Sequence, residues 1–428
     1  MEKQIKGKMY WRKLDDQAKV FSLASNKKYS SSFRLSAILK DKIDAEVLEK
    51  ALDSTLKKYK AYKVKMKRGF FWYYFEENEK RPIIKIEDEY PFGKINTKKN
   101  NNYLFKVTYF ENKINIDFFH VLTDANGGAQ FLKEVVYRYL DLKYPNELKS
   151  IYLDEGEIFE DSENAYVKNY KKHSKKINTF KRAYMIKGEE LPKGKIAINH
   201  FNIDLAEIKK CARLKDCSLS MYLVTMLAYS IYEAKYKTNK GNRPINICVP
   251  INLKKYFSSK TISNFFSYML ITLKLKNDEK YTFDNILDIV KKEFENKLKI
   301  EKIVATISSD AGKTNNIFVR MVPLFIKKVL VRLGSLEVKR HFTMTISNIG
   351  KFEIDNKYSK YIEKFFLILS PDWAEKIKCG VCSFEENIVV TFGSILKDNL
   401  IENKFKELLK ENNINFKIEG NEVNIISK

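Results

Sequence analysis

The sequence predicts a mixed α/β protein built as two halves of comparable size. Three observations carry this. Strand-like and helix-like patterns alternate from residue 32 to residue 142. The same mixture resumes beyond about residue 195. Between them apolar periodicity fades, and acidic residues (Asp154, Glu155, Glu157, Glu160, Asp161) give way to basic ones (Lys168, Lys171, Lys172, Lys175, Lys176). The expected organisation is a first half at 1–150, a crossover linker at 151–195 and a second half at 196–428.

In the first half, Ser32 to Leu39 reads as a strand. Asp44 to Lys60 reads as a helix, with Asp44 as N-cap and Val47, Leu48, Ala51, Leu52 and Leu56 on one face. The aromatic run Phe70 to Phe75 is expected to be a buried strand. Tyr103 to Phe110 and Ile114 to Phe119 are paired strands joined by a turn at Glu111 to Lys113. Gly128 to Leu142 is a helix burying Phe131, Leu132, Val135, Val136, Tyr139 and Leu140. In the second half, helices are expected at Leu205 to Leu214, Ser218 to Tyr236, Phe283 to Ile300 and about Asn399 to Glu411. Strands are expected at Pro244 to Ile251, Phe265 to Leu275, Phe342 to Ser347, Tyr361 to Leu369, Ile377 to Phe384 and Asn387 to Phe392. A final short strand closes the chain.

The 428 residues are 44% hydrophobic, with 15 Gly and 8 Pro, which is enough apolar content for a core and excludes a low-complexity chain. Met1 to Asp16 has no apolar stretch of the signal-peptide kind. The most apolar helix, Ser218 to Ala234, carries Ser, Thr, Tyr and Glu and falls short of the roughly 18 clean residues of a membrane span. The chain is expected to be cytoplasmic, with its five Cys reduced. The formal charge of +25 raises nucleic-acid binding. Lys is spread over nearly every helix rather than concentrated, and no recognition module is present, so that reading is set aside.

The strongest chemical signal is Asp117-Phe-Phe-His120-Val-Leu-Thr-Asp124-Ala-Asn-Gly127-Gly128. An apolar strand ends at His120, a loop carries Asp124, and a helix follows two glycines. A neutral imidazole at a strand end suits general-base work. Asp124 would fix the imidazole or brace the loop, and Gly127 and Gly128 would let the backbone turn tightly.

This segment resembles the His-x-x-x-Asp-Gly motif of the coenzyme A-dependent acyltransferases of the chloramphenicol acetyltransferase-like fold. Other segments resemble the alcohol O-acetyltransferase branch, in family order: Trp11-Arg-Lys-Leu-Asp15, Gly69 to Phe75, Val249-Pro-Ile-Asn-Leu-Lys254-Lys-Tyr-Phe257 and Thr345-Ile-Ser347-Asn348-Ile-Gly350. Ser263-Asn264-Phe-Phe-Ser-Tyr-Met also resembles a strand of peptide-synthetase condensation domains. The resemblance implies two sandwich-like α/β halves with a central tunnel. It implies His120 as general base for acyl transfer from acyl-CoA, a cosubstrate, to a hydroxyl or amine. It implies a structural role for Asp124, with Lys254 standing where the family often has an Arg partner, and Ala125 where it has Gly. Asn264, Tyr268, Ser347 and Asn348 are the implied tunnel residues, with oxyanion stabilisation as their candidate role. An acyl carrier protein is the alternative donor, as in condensation domains. A non-catalytic binding protein of the same fold is the alternative of another class.

Other motifs read as structural. His173 lies in a basic stretch; His200 and His341 are expected at strand starts. Without a His/Cys/carboxylate cluster, no metal site is indicated. Cys379-Gly-Val-Cys382 falls in strand-like sequence, where alternation separates the thiols. Ala311-Gly-Lys-Thr314 lacks the first glycine of a phosphate loop, Ile307 standing there. No Gly-x-Ser-x-Gly elbow is present.

Overall fold

The computed structural model describes residues 10–25, 31–92, 97–148, 164–169, 181–238, 241–276, 278–315 and 317–421. Most of the expected linker, with His173, lies outside them. In chain order the strands are β1 (Trp11–Lys13), β2 (Ser32–Leu39), β3 (Val64–Arg68), β4 (Tyr73–Glu77), β5 (Ile84–Ile86), β6 (Phe105–Phe110), β7 (Lys113–Phe119), β8 (Ala197–Asp204), β9 (Ile245–Asn252), β10 (Phe266–Leu273), β11 (Met344–Lys351), β12 (Ile362–Leu369), β13 (Ile377–Phe384), β14 (Asn387–Ser394) and β15 (Phe416–Gly420). The helices are α1 (Asp16–Ala24), α2 (Ala45–Lys58), α3 (Ala125–Lys143), α4 (Ala165–Lys168), α5 (Leu205–Leu214), α6 (Leu219–Ile231), α7 (Phe283–Lys297), α8 (Ile300–Asn315), α9 (Ile317–Met321), α10 (Leu324–Lys339), α11 (Asn356–Ser359) and α12 (Leu400–Glu411).

The strands form two main sheets, which meet where β12 packs against β13 and β14. One has five strands in the order β12-β2-β7-β6-β5, the other seven in the order β10-β9-β11-β13-β14-β8-β15. Side-chain alternation makes each sheet two-faced. In β2, Phe33, Leu35, Ala37 and Leu39 enter the first core with α2 and α3. The other face of β2 is polar and paired across to β7. Arg34 forks onto Asp117 at 2.7 and 2.8 Å, and Ser36 donates to Asn115 at 2.6 Å. A one-residue slip would bury these polar groups among apolar ones, so they hold the register.

Local signals start two of the helices where expected. Asp44 caps α2 by accepting from the Glu46 and Val47 amides, and Ser218 caps α6. The second core gathers the buried faces of α5, α6, α7 and α12 over the seven-stranded sheet. The halves are interleaved: β12, from the second half of the chain, pairs antiparallel with β2 in the first-half sheet. Residues 1–150 therefore do not close that sheet alone.

Four expectations change. Phe70 and Phe71 are not in a buried strand: they form the tip between β3 and β4 and are 72% and 42% exposed. Only Phe75 of that run is fully buried. The helix expected from Gly128 starts at Ala125, so Gly127 and Gly128 sit in its first turn rather than in the preceding loop. His200 lies inside β8, stacked on Phe366 at 3.8 Å, and His341 lies in the turn before β11, not at a strand start. Ala311 to Thr314 is no phosphate loop, as expected: it lies within α8.

The cysteine pair separates as alternation requires. Cys379 points into the second core and Cys382 into the first. Gly380 between them is a close approach: a Cβ there would lie 2.1 Å from the Leu367 carbonyl oxygen of β12. Both thiols are buried and free, and burial pushes the Cys382 thiol up to about 12.

Candidate active site between the two halves

The His120 backbone N–H donates to the Ser31 carbonyl at 2.8 Å, fixing the residue just past the end of β7. Its ring is clamped by aromatics. Phe21 of α1 stacks on it at 4.4 Å, Phe33 meets it edge-on at 5.2 Å, and Phe266 of β10 lies 5.3 Å away. Thus α1 and β2 hold one side and β10, from the other half, holds the rest.

The ring's tautomer follows from its partners. Nδ1 lies 3.1 Å from Oδ1 of Asn264. The Asn264 Nδ2 group donates to the Asp15 carboxylate at 3.1 Å, which leaves Oδ1 as the atom facing the histidine. An amide oxygen only accepts, so Nδ1 carries the proton and Nε2 has the free lone pair. Asp15 is itself fixed as the N-cap of α1, accepting from the Ala18 amide at 2.7 Å. Burial holds His120 below the ordinary imidazole value, helped by Lys378; Asp124 and the Asn264 bond oppose this without reversing it. The imidazole is therefore neutral near pH 7.

Asp124 does not touch the ring in this arrangement; it builds the loop. One carboxylate oxygen accepts from the Gly127 amide as the N-cap of α3, at 2.9 Å. The other accepts from the Phe265 amide, also at 2.9 Å. Among the described residues, no ion pair joins Asp124 to Lys254, whose own amide donates to Asn252 after β9. The brace is thus two backbone N–H groups in place of a cation. We expect Asp124→Ala to lose about 2 kcal/mol of stability, from a lost cap and an orphaned buried amide. Asp124→Asn is expected to lose a similar amount, because its NH2 would face an N–H group. Urea midpoints of the two variants against the parent check this.

The segment before β10 acts as a latch between halves. Its buried residues contact the first half in succession. The Ile262 carbonyl accepts from Thr123 at 2.7 Å, the Ser263 hydroxyl from Arg12 at 3.1 Å, Asn264 holds His120, and Phe265 holds Asp124. Gly127 is needed for space here. A Cβ on it would lie 2.2 Å from the Thr123 hydroxyl and 2.4 Å from the Ile262 carbonyl oxygen.

His120 lines a cavity of about 780 Å3 between the halves, with Tyr268, Ser347 and Asn348 also in its wall. Asn264 stands behind His120 and is 1% exposed; it does not line this cavity. Sequence reasoning missed the charged group in the same wall. Lys378 of β13 lies 3.2 Å from Glu375 and 3.5 Å from Asp372, which Lys339 also meets at 2.8 Å. Burial opposes the charge on Lys378, but Glu375 and Asp372 hold its pKa above the ordinary lysine value. A Lys in a strand whose other residues are all uncharged, Ile377 to Phe384, was the available signal.

No family model matches the sequence, and no curated protein does. Solved structures match over nearly the whole chain. TRI101 of Fusarium sporotrichioides, complexed with coenzyme A and T-2, is 10% identical with a TM-score of 0.63, over 95% of this chain and 99% of that one. TRI3 trichothecene 15-O-acetyltransferase from Fusarium sporotrichioides is 8% identical with a TM-score of 0.63, over 96% of each chain. The starter condensation domain of rhizomide synthetase, as a mutant in complex with C8-CoA, is 10% identical with a TM-score of 0.57, over 94% of each chain. The fold is the two-lobed chloramphenicol acetyltransferase-like fold. In this fold's terms, the cavity carrying His120 lies between the lobes, and both lobes supply its wall.

Proposed function

We propose that the protein is an acyltransferase that moves an acyl group from acyl-CoA to the hydroxyl of an acceptor, or to an amine, with His120 as general base. One observation carries this reading: a neutral histidine, held as the Nδ1–H tautomer, lines an interlobe cavity of about 780 Å3. The solved relatives include a complex with coenzyme A and a named O-acetyltransferase, which supports the donor and the acceptor class.

In this reading Nε2 takes the acceptor proton as the acceptor oxygen attacks the thioester carbonyl. A C–O bond forms and the carbonyl electrons move onto oxygen. Collapse of that oxyanion breaks the C–S bond, and the thiol leaves with the proton His120 held. No covalent enzyme intermediate and no separate cofactor are required. Ser347, the Asn348 amide and Tyr268 are the proposed oxyanion donors, since they share the cavity with His120. Asn264 and Asp15 are positioning residues. Asp124, Gly127 and Gly128 shape the loop and the helix start.

The test measures thiol release from short- and medium-chain acyl-CoAs with a panel of alcohols and amines, beside an acylated carrier protein. Exclusive use of the carrier supports the condensation-type alternative. Binding of acyl-CoA without turnover by any donor supports the non-catalytic alternative.

The pH dependence has a defined sign. His120 works as a base only when neutral, and its burial lowers its pKa from the ordinary value of about 6.5. Activity is therefore expected to hold as pH falls through 6.5 and to decline only below it. A kcat/KM profile with its acid limb above pH 7 would count against His120 as the titrating base.

A further inference from the structure

Among the described residues, α10 carries its more apolar side outward. At 100° per residue, positions 325, 326, 329, 330, 333 and 336 fall within an arc of about 140°. Phe325, Val329, Leu330 and Leu333 on this arc are each 57–61% exposed. The opposite side, with Leu324 and Lys327, is the buried one. A second exposed apolar element is fastened beside it. The Leu324 amide donates to the Phe70 carbonyl at 3.0 Å. Lys327 is buried, donates to the Phe71 carbonyl at 3.0 Å and lies 3.8 Å over the Trp72 ring. This holds the exposed Phe70 and Phe71 tip against the N-terminal end of α10.

The charge along this surface is predominantly positive. Residues 317–340 contain six Lys or Arg and a single acid, Glu337. Arg182 neutralises Glu337 at 2.7 and 2.9 Å. Lys67 and Arg68 sit beside the aromatic tip, both exposed. Solvated apolar surface of this extent marks an interaction site, and a basic border around it fits an anionic partner. An amphipathic helix with cations at its flanks and an aromatic wedge beside it matches a bilayer interface. No helix among the described residues is long and apolar enough to cross a membrane, so the fit is to lying on one.

We infer that α10 and the Phe70–Phe71 tip form a docking surface for an anionic lipid bilayer. The end of α10 gives the surface a use: Val338 and Lys339 of its last turn, with Phe342, line the cavity that holds His120. If the protein is the acyltransferase proposed above, docking through α10 would bring this cavity close to a membrane-dissolved acceptor or acyl chain. The docking is independent of the acyl-transfer reading and is tested without measuring activity.

The experiment is co-sedimentation of the full chain with vesicles of phosphatidylcholine, with and without about one quarter phosphatidylserine. Binding is expected to the mixed vesicles, weaker to phosphatidylcholine alone, and reduced by salt. Phe325→Ser with Leu333→Asp, and separately Arg320→Glu with Lys328→Glu, are each expected to weaken it about tenfold or more. All four side chains are at least partly solvated, so thermal melting should stay near the parent and confirms folding. Absence of binding, equal binding to both vesicle types, or unchanged binding by both variants would overturn the inference. So would a dimer in solution that Leu333→Asp dissociates while the parent ignores vesicles, since a second copy would then be the occupant.

Discussion

Replacing His120 with alanine is expected to leave a folded chain whose acyl-transfer turnover is lower by about 10²–10⁴-fold. The magnitude is that of a positioned general base. The geometry explains why the loss should appear in kcat. In the proposed reaction His120 takes the proton that moves, while its neighbours hold the ring and the lobes together without it. Near-UV circular dichroism of the variant checks the fold, and thiol release checks the chemistry. Near-parental turnover would remove His120 as the base. Asn264→Ala gives the companion result. It frees Nδ1, so the ring samples the tautomer whose Nε2 carries a proton and has no base to offer. A smaller loss in kcat, with KM for acyl-CoA little changed, is expected. A loss confined to KM would mean that Asn264 serves binding instead.

Gly127→Ala is expected to destabilise the protein by about 3 kcal/mol, the upper end for an overpacked site. The added methyl would lie 2.4 Å from a backbone carbonyl of the latch and 2.2 Å from the Thr123 hydroxyl. Neither is the far end of a flexible side chain. The Thr123 hydroxyl donates to the Ile262 carbonyl and accepts from Tyr62, so yielding would break a buried network. Gly128→Ala is the control one residue along. Its Cβ would meet side-chain carbons of Leu35, Phe118 and Phe33 at 3.1 Å. That strain is offset by the roughly 1 kcal/mol gained on replacing a helical glycine. Urea denaturation of both variants separates the cases. Equal stability for Gly127→Ala and its parent would mean that the lobes are not in tight contact at this helix start.

The misread segments share one physical cause. Phe70 to Phe75 is aromatic and apolar, and pattern alone assigns such a run to the interior. Its first residues are held at a surface tip by contacts with α10, more than 250 residues away, as in the bond from Lys327 to the Phe71 carbonyl. The glycines after Asp124 were read as a source of backbone freedom. They have no unusual conformation; they leave room for Leu35, Phe33 and Phe118, and for the latch. The brace of Asp124 was sought in a basic side chain at Lys254. Backbone amides supply it, and a backbone amide leaves no mark in a sequence.

The sequence by itself determined the alternation of strands and helices, the cap at Asp44, the opposite faces of Cys379 and Cys382, and His120 with Asp124 as the chemical signal. All of these depend on period and on neighbours within a few residues, where backbone geometry leaves few choices. Tertiary structure alone decided that β12 completes the first sheet and that residues 262–265 latch the lobes. It alone decided that Asp15 and Asn264 set the tautomer of His120, and that Lys378 shares its cavity. Those depend on which distant segments the two cores bring together. The bond from His120 to Asn264 spans 144 residues, and only the packing of two lobes brings its ends within 3.1 Å.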